Sequence, residues 1–228
     1  MNNYPGKVIT FEGPEGSGKT TQIAMLIEHL RNYDPKVAKF REPGGDEFSE
    51  KIRGLLLDKN HLDVDYKSEL MLFMAARAQF VSRVLVPHLK EGYICLIDRF
   101  IDSSVAYQGV ARQQGQEWVE TLNRYVTGGL IPDITFLLDL GPEIGVKRKK
   151  DAGVENRLDL EKIEFHRAAR QGYLFLLETD ISGRWVKIDG NLSAEAIHKR
   201  VCKGVWSRLH IGWNPEFESM QPGVERYF

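Results

Sequence analysis

Eight residues near the amino terminus, Gly13-Pro14-Glu15-Gly16-Ser17-Gly18-Lys19-Thr20, carry the spacing G-x-x-x-x-G-K-[ST] without a mismatch. Glycines at that spacing let a loop wrap so that its backbone N–H groups point at phosphate oxygens. A helix that starts at Lys19 adds its positive end. In such a loop the Lys19 ammonium bridges the β- and γ-phosphates and the Thr20 hydroxyl sits on Mg²⁺, with Thr21 beside it among the phosphate-binding residues. The chemistry is that of a nucleoside triphosphate. Three reaction classes share it: guanine-nucleotide switches, ATP-driven motors or nucleic-acid machines, and kinases of small acceptors. No Asn-Lys-x-Asp run is present to read guanine, and Asp180-Ile181-Ser182-Gly183 matches only a bare D-x-x-G in a turn-prone stretch.

A kinase whose acceptor itself bears a phosphate needs a second set of cations, because two polyanions must meet. Arg41 opens Arg41-Glu42-Pro43-Gly44-Gly45, Arg99 follows Asp98, and Arg77 lies in a long helical pattern. Each alone also reads as an ordinary surface arginine. Arg41 and Arg99, however, both fall just past the ends of predicted strands, the edge at which open α/β sheets bind ligands.

The elements that must position these residues are legible in the periodicity. Lys7 to Glu12, Val37 to Phe40, Ile94 to Ile97, Ile134 to Leu140 and Trp185 to Ile188 are short apolar runs of strand length. Between them, helical spacing predicts helices over Lys19 to Asn32, Phe48 to Leu57, Tyr66 to about Leu89 with Pro87 at a frayed end, and Trp118 to Val126. Further helices are predicted over Pro142 to Lys150, Leu160 to Glu178 and Ala194 to Leu209. Strands alternating with helices argue for a parallel sheet covered on both faces. One domain over 1–209 is expected, with a tail from His210 to Phe228 that has no clear period.

Composition narrows the partners. The chain has 228 residues, with Lys plus Arg 31 against Asp plus Glu 32 and a net charge of −1. Such a balance provides no positive field for a nucleic-acid polymer. Its two cysteines, Cys95 and Cys202, are too few for a disulfide framework or a zinc site. With no secretory pattern at the amino terminus and no apolar run near the ~20 residues of a membrane span, the expected setting is cytoplasmic, away from any membrane.

The motifs in their order resemble the thymidylate kinases over roughly Lys7 to Leu209. They are FEGPEGSGKTTQ (11–22), REPGG (41–45), LFMAARAQF (72–80), DRFIDSSVAYQG (98–109), PDITFLLDL (132–140) and NRLD (156–159). The run from Asp98 to Gly109 is the most specific, since adenylate and UMP/CMP kinases share the loop but lack it. The resemblance implies an α/β fold: a P-loop NTPase three-layer αβα sandwich, with a mostly parallel five-stranded sheet and a flexible lid over about 148–160. It implies transfer of the γ-phosphate of MgATP to dTMP, giving dTDP and ADP for dTTP biosynthesis, by a homodimer. The alternatives are a related nucleoside monophosphate kinase that accepts UMP or other deoxynucleotides, and a P-loop regulatory ATPase.

Residue by residue, the resemblance implies that Phe73 stacks on thymine and Arg77 reaches the base or its phosphate. Ser103, Ser104 and Gln108 lie at the base edge. Tyr107 lies where a ribose 2′-hydroxyl would go, and Glu15 accepts from the sugar 3′-OH. Arg41 and Arg99 hold the acceptor phosphate, and Asp98 orients Arg99 or holds Mg²⁺ through water. The family supplies its catalytic arginine either from the phosphate loop or from the lid. Positions 14–17 hold no arginine. The expectation therefore falls on the lid, with Arg157 first and Arg148 second, and with Lys149 and Lys150 as solvated charges. Phe100, where Tyr or His is usual, and Asp46, where Thr or Ser is usual, depart from the family and could shift acceptor preference.

Overall fold

All five apolar runs form strands, and the strands form one parallel sheet in the order β2-β3-β1-β4-β5. The computed structural model describes residues 4–211, so the tail expected from His210 lies, apart from His210 and Ile211, outside the described residues. The strands are β1 (Lys7–Glu12), β2 (Val37–Arg41), β3 (Ile94–Asp98), β4 (Ile134–Asp139) and β5 (Trp185–Asp189). Between them run α1 (Lys19–Arg31), α2 (Glu47–Leu57), α3 (Tyr66–Phe80), α4 (Val86–Lys90), α5 (Ile101–Ser104), α6 (Gln116–Thr127), α7 (Pro142–Asp151), α8 (Ile163–Glu178) and α9 (Ala194–Leu209). Every parallel neighbour requires a crossover, and the helices supply it.

Successive strand residues point to opposite faces. Ile9, Phe11, Leu96, Phe136 and Leu138 therefore meet α1 and α9, through Ile23, Leu26, Leu30, Val201 and Val205. Val8, Cys95 and Ile97 face the other way, onto Phe80, Leu85, Leu89 and Phe100. Leu137 and Trp185 meet Phe165, Ala169 and Tyr173 of α8. Each such side chain, buried, contributes about 1.5–3 kcal/mol. The layers are helix, sheet and helix, as the sequence implies.

Two stretches differ from expectation. The helix from Tyr66 does not fray at Pro87. A five-residue π-helical segment, Val81–Leu85, joins α3 to α4, and the Val86 N–H bonds to the Val81 carbonyl. The widened turn just ahead of Pro87 shifts the bonding register there, so the helix tolerates its missing N–H and continues to Lys90. The second stretch, Ile101 to Ala111, is helical, as α5 followed by a π-helical segment Val105–Ala111. Its polar residues point inward, so no outward polar face marked it in the sequence.

The continuous run Tyr66–Lys90 is long and apolar enough to cross a membrane by length and composition. Here it packs on the sheet, with Phe80, Leu85 and Leu89 wholly buried and with Glu69 and Arg77 buried among polar partners inside the protein.

Candidate active site

The carboxyl edge of the sheet gathers the chemistry. β1 lies between β3 and β4, and crossovers leave β1 and β3 in opposite directions, which opens a crevice there. Register sets Arg41 opposite Asp98, and Asp98 opposite Phe11. A cavity of about 430 Å³ fills the crevice. Among the residues lining it are Glu15 to Thr21, Arg41, Phe73, Arg77, Asp98, Arg99, Ser103, Ser104, Tyr107, Gln108, Arg148 and Lys149.

The phosphate loop takes its shape from glycines in left-handed backbone, Gly16 at φ 65° and Gly18 at φ 94°. Gly18 leads directly into α1. Lys19 Nζ donates to the carbonyls of Gly13 (3.1 Å) and Pro14 (2.8 Å) and to Ser17 Oγ (3.3 Å), which folds the ammonium back over the loop. Gly13 and Pro14 thus serve as its anchors rather than as cavity lining. Burial and the nearby Arg99 push the Lys19 ammonium down to about 8, against Glu15, Asp98 and Glu12. Thr20 Oγ1 donates to Asp98 Oδ2 at 2.8 Å, so the two oxygens expected at the metal are adjacent.

A buried polar cluster lies under the loop. Glu12, at the end of β1, accepts from the Phe100 N–H (2.7 Å), Ser103 Oγ (2.6 Å) and Tyr173 OH (2.9 Å). Burial, with Asp102 nearby, pushes the Glu12 carboxyl up to about 7 despite Arg99 and those donors. Arg99 sits in left-handed backbone at φ 65°, an uncommon state for a residue with a side chain. That turn swings its guanidinium over the Tyr107 ring, 5.1 Å from the centroid, and onto Glu15 Oε1 at 2.7 Å. It also donates to Ser103 Oγ (3.2 Å) and Tyr173 OH (2.9 Å). Although burial raises the Glu15 carboxyl, Arg99, Lys19 and Lys149 outweigh it and hold it at about 2.

The residues expected at the base line the opposite wall. Phe73 is half-buried on α3 with a face toward the cavity, and Arg77, one turn on, is held rigidly. Arg77 Nε donates to Glu42 at 2.6 Å, Nη1 to Ser104 Oγ at 2.9 Å, and Nη2 to the Phe100 carbonyl at 3.0 Å. Gln108 Nε2 donates to Glu69 Oε1 at 2.9 Å, which leaves its carbonyl oxygen as the end not engaged there. Arg41 is exposed at the rim and pairs with Glu50 at 3.0 Å.

Three expectations need correction. Arg157 does not reach the cavity: it lies in a short 3₁₀ turn, Arg157–Leu160, with its guanidinium buried. Its Nη2 pairs with Glu69 Oε2 at 2.6 Å and its Nε donates to the Leu56 carbonyl at 2.8 Å. Lys149 is not a solvated charge, because its Nζ reaches Glu15 Oε2 (3.4 Å) and Asp159 Oδ2 (3.0 Å) at the cavity wall. Ser103 lines the cavity but commits its hydroxyl to Glu12. Arg148, by contrast, lies over the phosphate loop and donates to the Gly16 carbonyl at 3.1 Å. α7 can come this close because Gly145 has no side chain; a Cβ there would stand 1.9 Å from the Glu15 carbonyl oxygen.

The departures at positions 46 and 100 also resolve. Asp46 caps α2, accepting from the N–H groups of Phe48 and Ser49, and Phe100 is buried core under Arg77. Neither lines the cavity.

Sequence reasoning missed Glu12, Glu42, Arg53 and Tyr173. A carboxylate closing an apolar strand was a usable signal for Glu12. Arg53 lines the cavity from α2 and donates to the Pro43 carbonyl at 2.9 Å, one turn from Glu50 on the same helix. Tyr173, 74 residues from its partner Arg99, had no local signal.

Comparison with known proteins places the chain in a family. The thymidylate kinase family model matches residues 11–201. The chain is 44% identical over 200 residues to the thymidylate kinase of Caldanaerobacter subterraneus subsp. tengcongensis, covering 88% of this chain and 95% of that protein. It is 44% identical over 198 residues to that of Bacillus licheniformis, covering 86% and 93%. The crystal structure of the thymidylate kinase from Ehrlichia chaffeensis superposes with a TM-score of 0.71 at 32% identity, covering 87% of this chain and 97% of that one. By sequence and by fold, the chain belongs to the thymidylate kinase family.

Proposed function

We propose that the cavity is where the γ-phosphate of ATP passes to dTMP, giving dTDP and ADP. Family membership makes the chain an ATP-dependent nucleotide kinase. The observation that carries the reading is the cavity itself: one crevice is lined both by the phosphate loop and by Phe73, Arg77, Ser104 and Gln108.

The loop N–H groups and Lys19 hold the donor phosphates. Phe73 offers a flat face for thymine. Arg77, fixed by Glu42 and Ser104, and Gln108, fixed by Glu69, meet the base edge. Tyr107 closes the sugar side, where it favours deoxyribose, and Glu15 accepts from the 3′-OH. Arg41, Arg53 and Arg99 gather the acceptor phosphate. Phosphoryl transfer needs alignment and positive charge more than covalent help, and Arg148 and Lys149 supply that charge from α7. Thr20 Oγ1 and Asp98 Oδ2 are hard oxygen donors beside the loop, a set that fits Mg²⁺ held largely by phosphate and water. Bound there, Mg²⁺ neutralises charge on the β- and γ-phosphates.

A homodimer and a cytoplasmic setting belong to the same reading. Exposed apolar side chains on neighbouring helices, Tyr66 and Met71 on α3 and Trp118 and Tyr125 on α6, support pairing of two copies. The free, buried thiols of Cys95 and Cys202 suit a reducing compartment.

ADP release from MgATP against dTMP, dUMP, UMP, dCMP and no acceptor tests the proposal. Strong stimulation by dTMP is expected. Equal turnover with UMP would move the reading to a broader kinase, and turnover without acceptor would move it to a regulatory ATPase.

A further inference from the structure

A second side-chain cluster lies outside the cavity, between α1 and α9. His29 comes from α1, and His198 and Cys202 lie one turn apart on α9, so all three face the same seam. Their ligand atoms lie within 4.8 Å of one another. Cys202 Sγ is 3.4 Å from His198 Nε2, and the two imidazole rings are 5.9 Å apart, edge to face. From zinc bond lengths of about 2.0–2.1 Å to nitrogen and 2.3 Å to sulfur, tetrahedral ligands stand about 3.4 Å (N to N) and 3.6 Å (S to N) apart. The His198–Cys202 pair is already near that spacing. His29 and His198 are only half-buried, so side-chain rotation can close the remainder.

We propose that His29, His198 and Cys202 form a binding site for a borderline-soft divalent metal ion of the zinc class, which clips α9 to α1. Two imidazoles and a thiolate select Zn²⁺ or Co²⁺ over Mg²⁺, whose preferred ligands are oxygens. Three protein ligands leave a fourth position for water. On binding, the Cys202 S–H bond is exchanged for an S–metal bond and one proton leaves to solvent. The ion would tie the last described helix to the helix that begins at Lys19 without entering the phosphate site.

The test uses the full chain, stripped with chelator and free of nucleotide, titrated with Co²⁺. One equivalent per chain should give a thiolate-to-cobalt charge-transfer band in the near ultraviolet, together with d–d bands of tetrahedral intensity. Zn²⁺ should displace the band and, at about a hundredfold over its Kd, raise Tm by about 5–10 °C. Cys202→Ser should abolish the band, and His198→Ala should weaken binding more than the ~10–100-fold typical of losing an outer-shell partner. Both variants should keep their dTMP-stimulated turnover with MgATP, which shows that they are folded. No thiolate band in the wild-type chain, a band that survives Cys202→Ser, or an equal rise in Tm for His198→Ala would each overturn the proposal.

Discussion

Replacing Arg157 with alanine should cost stability and spare catalysis, whereas replacing Arg148 should do the reverse. Arg157 and Glu69 are both buried, with side-chain exposures of 2% and 0%. Breaking such a pair costs about 3–5 kcal/mol when the remaining charge has no other partner. Glu69 does keep partners: Arg112 Nη2 at 3.2 Å and Gln108 Nε2 at 2.9 Å. The expected loss is therefore at or just below the lower bound, about 2–3 kcal/mol. For a domain of this size that is a fall in Tm of about 5–10 °C. Arg148 is exposed and donates to the Gly16 carbonyl. Its loss should change stability by no more than about 0.5 kcal/mol but lower kcat by ~10³, the scale of an arginine that stabilises the transferring group. Thermal melts and ADP-coupled kinetics on the two variants decide the matter. A double-mutant cycle of Arg157→Ala with Glu69→Gln should show a coupling of about 0.5–3 kcal/mol. If Arg157→Ala keeps its Tm and loses ~10³ in kcat while Arg148→Ala stays active, the assignment of charge in the α7 region is wrong.

Two further outcomes follow from the perturbed groups. Lys19, pushed down to about 8, should lose its charge in the free enzyme as pH rises, so kcat/KM should fall on an alkaline limb with a midpoint near 8. A flat profile to about pH 9.5 would show that the ammonium keeps its charge, and Lys19→Ala should abolish turnover with Tm retained. Glu12, at about 7 in the folded chain against 4.5 in the unfolded one, makes the native state bind the extra proton. Its stabilising effect is full below 4.5 and is lost as pH rises to about 7. Urea unfolding of the wild-type chain should show this decline, and Glu12→Gln should flatten it. An equal pH slope in the variant would assign the effect to another group.

The phosphate loop was legible because its chemistry is local. Three glycines, a lysine and a threonine at fixed spacing form the cradle from one stretch of backbone, and β1 and α1 flank it wherever the rest of the chain goes. The sheet was legible for a related reason: strands buried on both faces become continuous apolar runs. Arg41 and Arg99 could be placed at the carboxyl edge from sequence position alone, because every strand of a parallel sheet ends on the same side.

Only the tertiary structure decided which charges act and which are neutralised. Arg148, Lys149 and Arg157 look alike in a basic stretch. Their fates diverge because Gly145 brings α7 onto the phosphate loop while the 3₁₀ turn at Arg157 faces Glu69, a residue 88 positions away. The helix over Ile101 to Ala111 escaped the pattern because its polar groups point inward, Ser103 to Glu12 and Tyr173, and Gln108 to Glu69. Hydrophobic periodicity reports which side of a helix meets apolar core; it is blind to a face whose burial is satisfied by hydrogen bonds and ion pairs from distant parts of the chain.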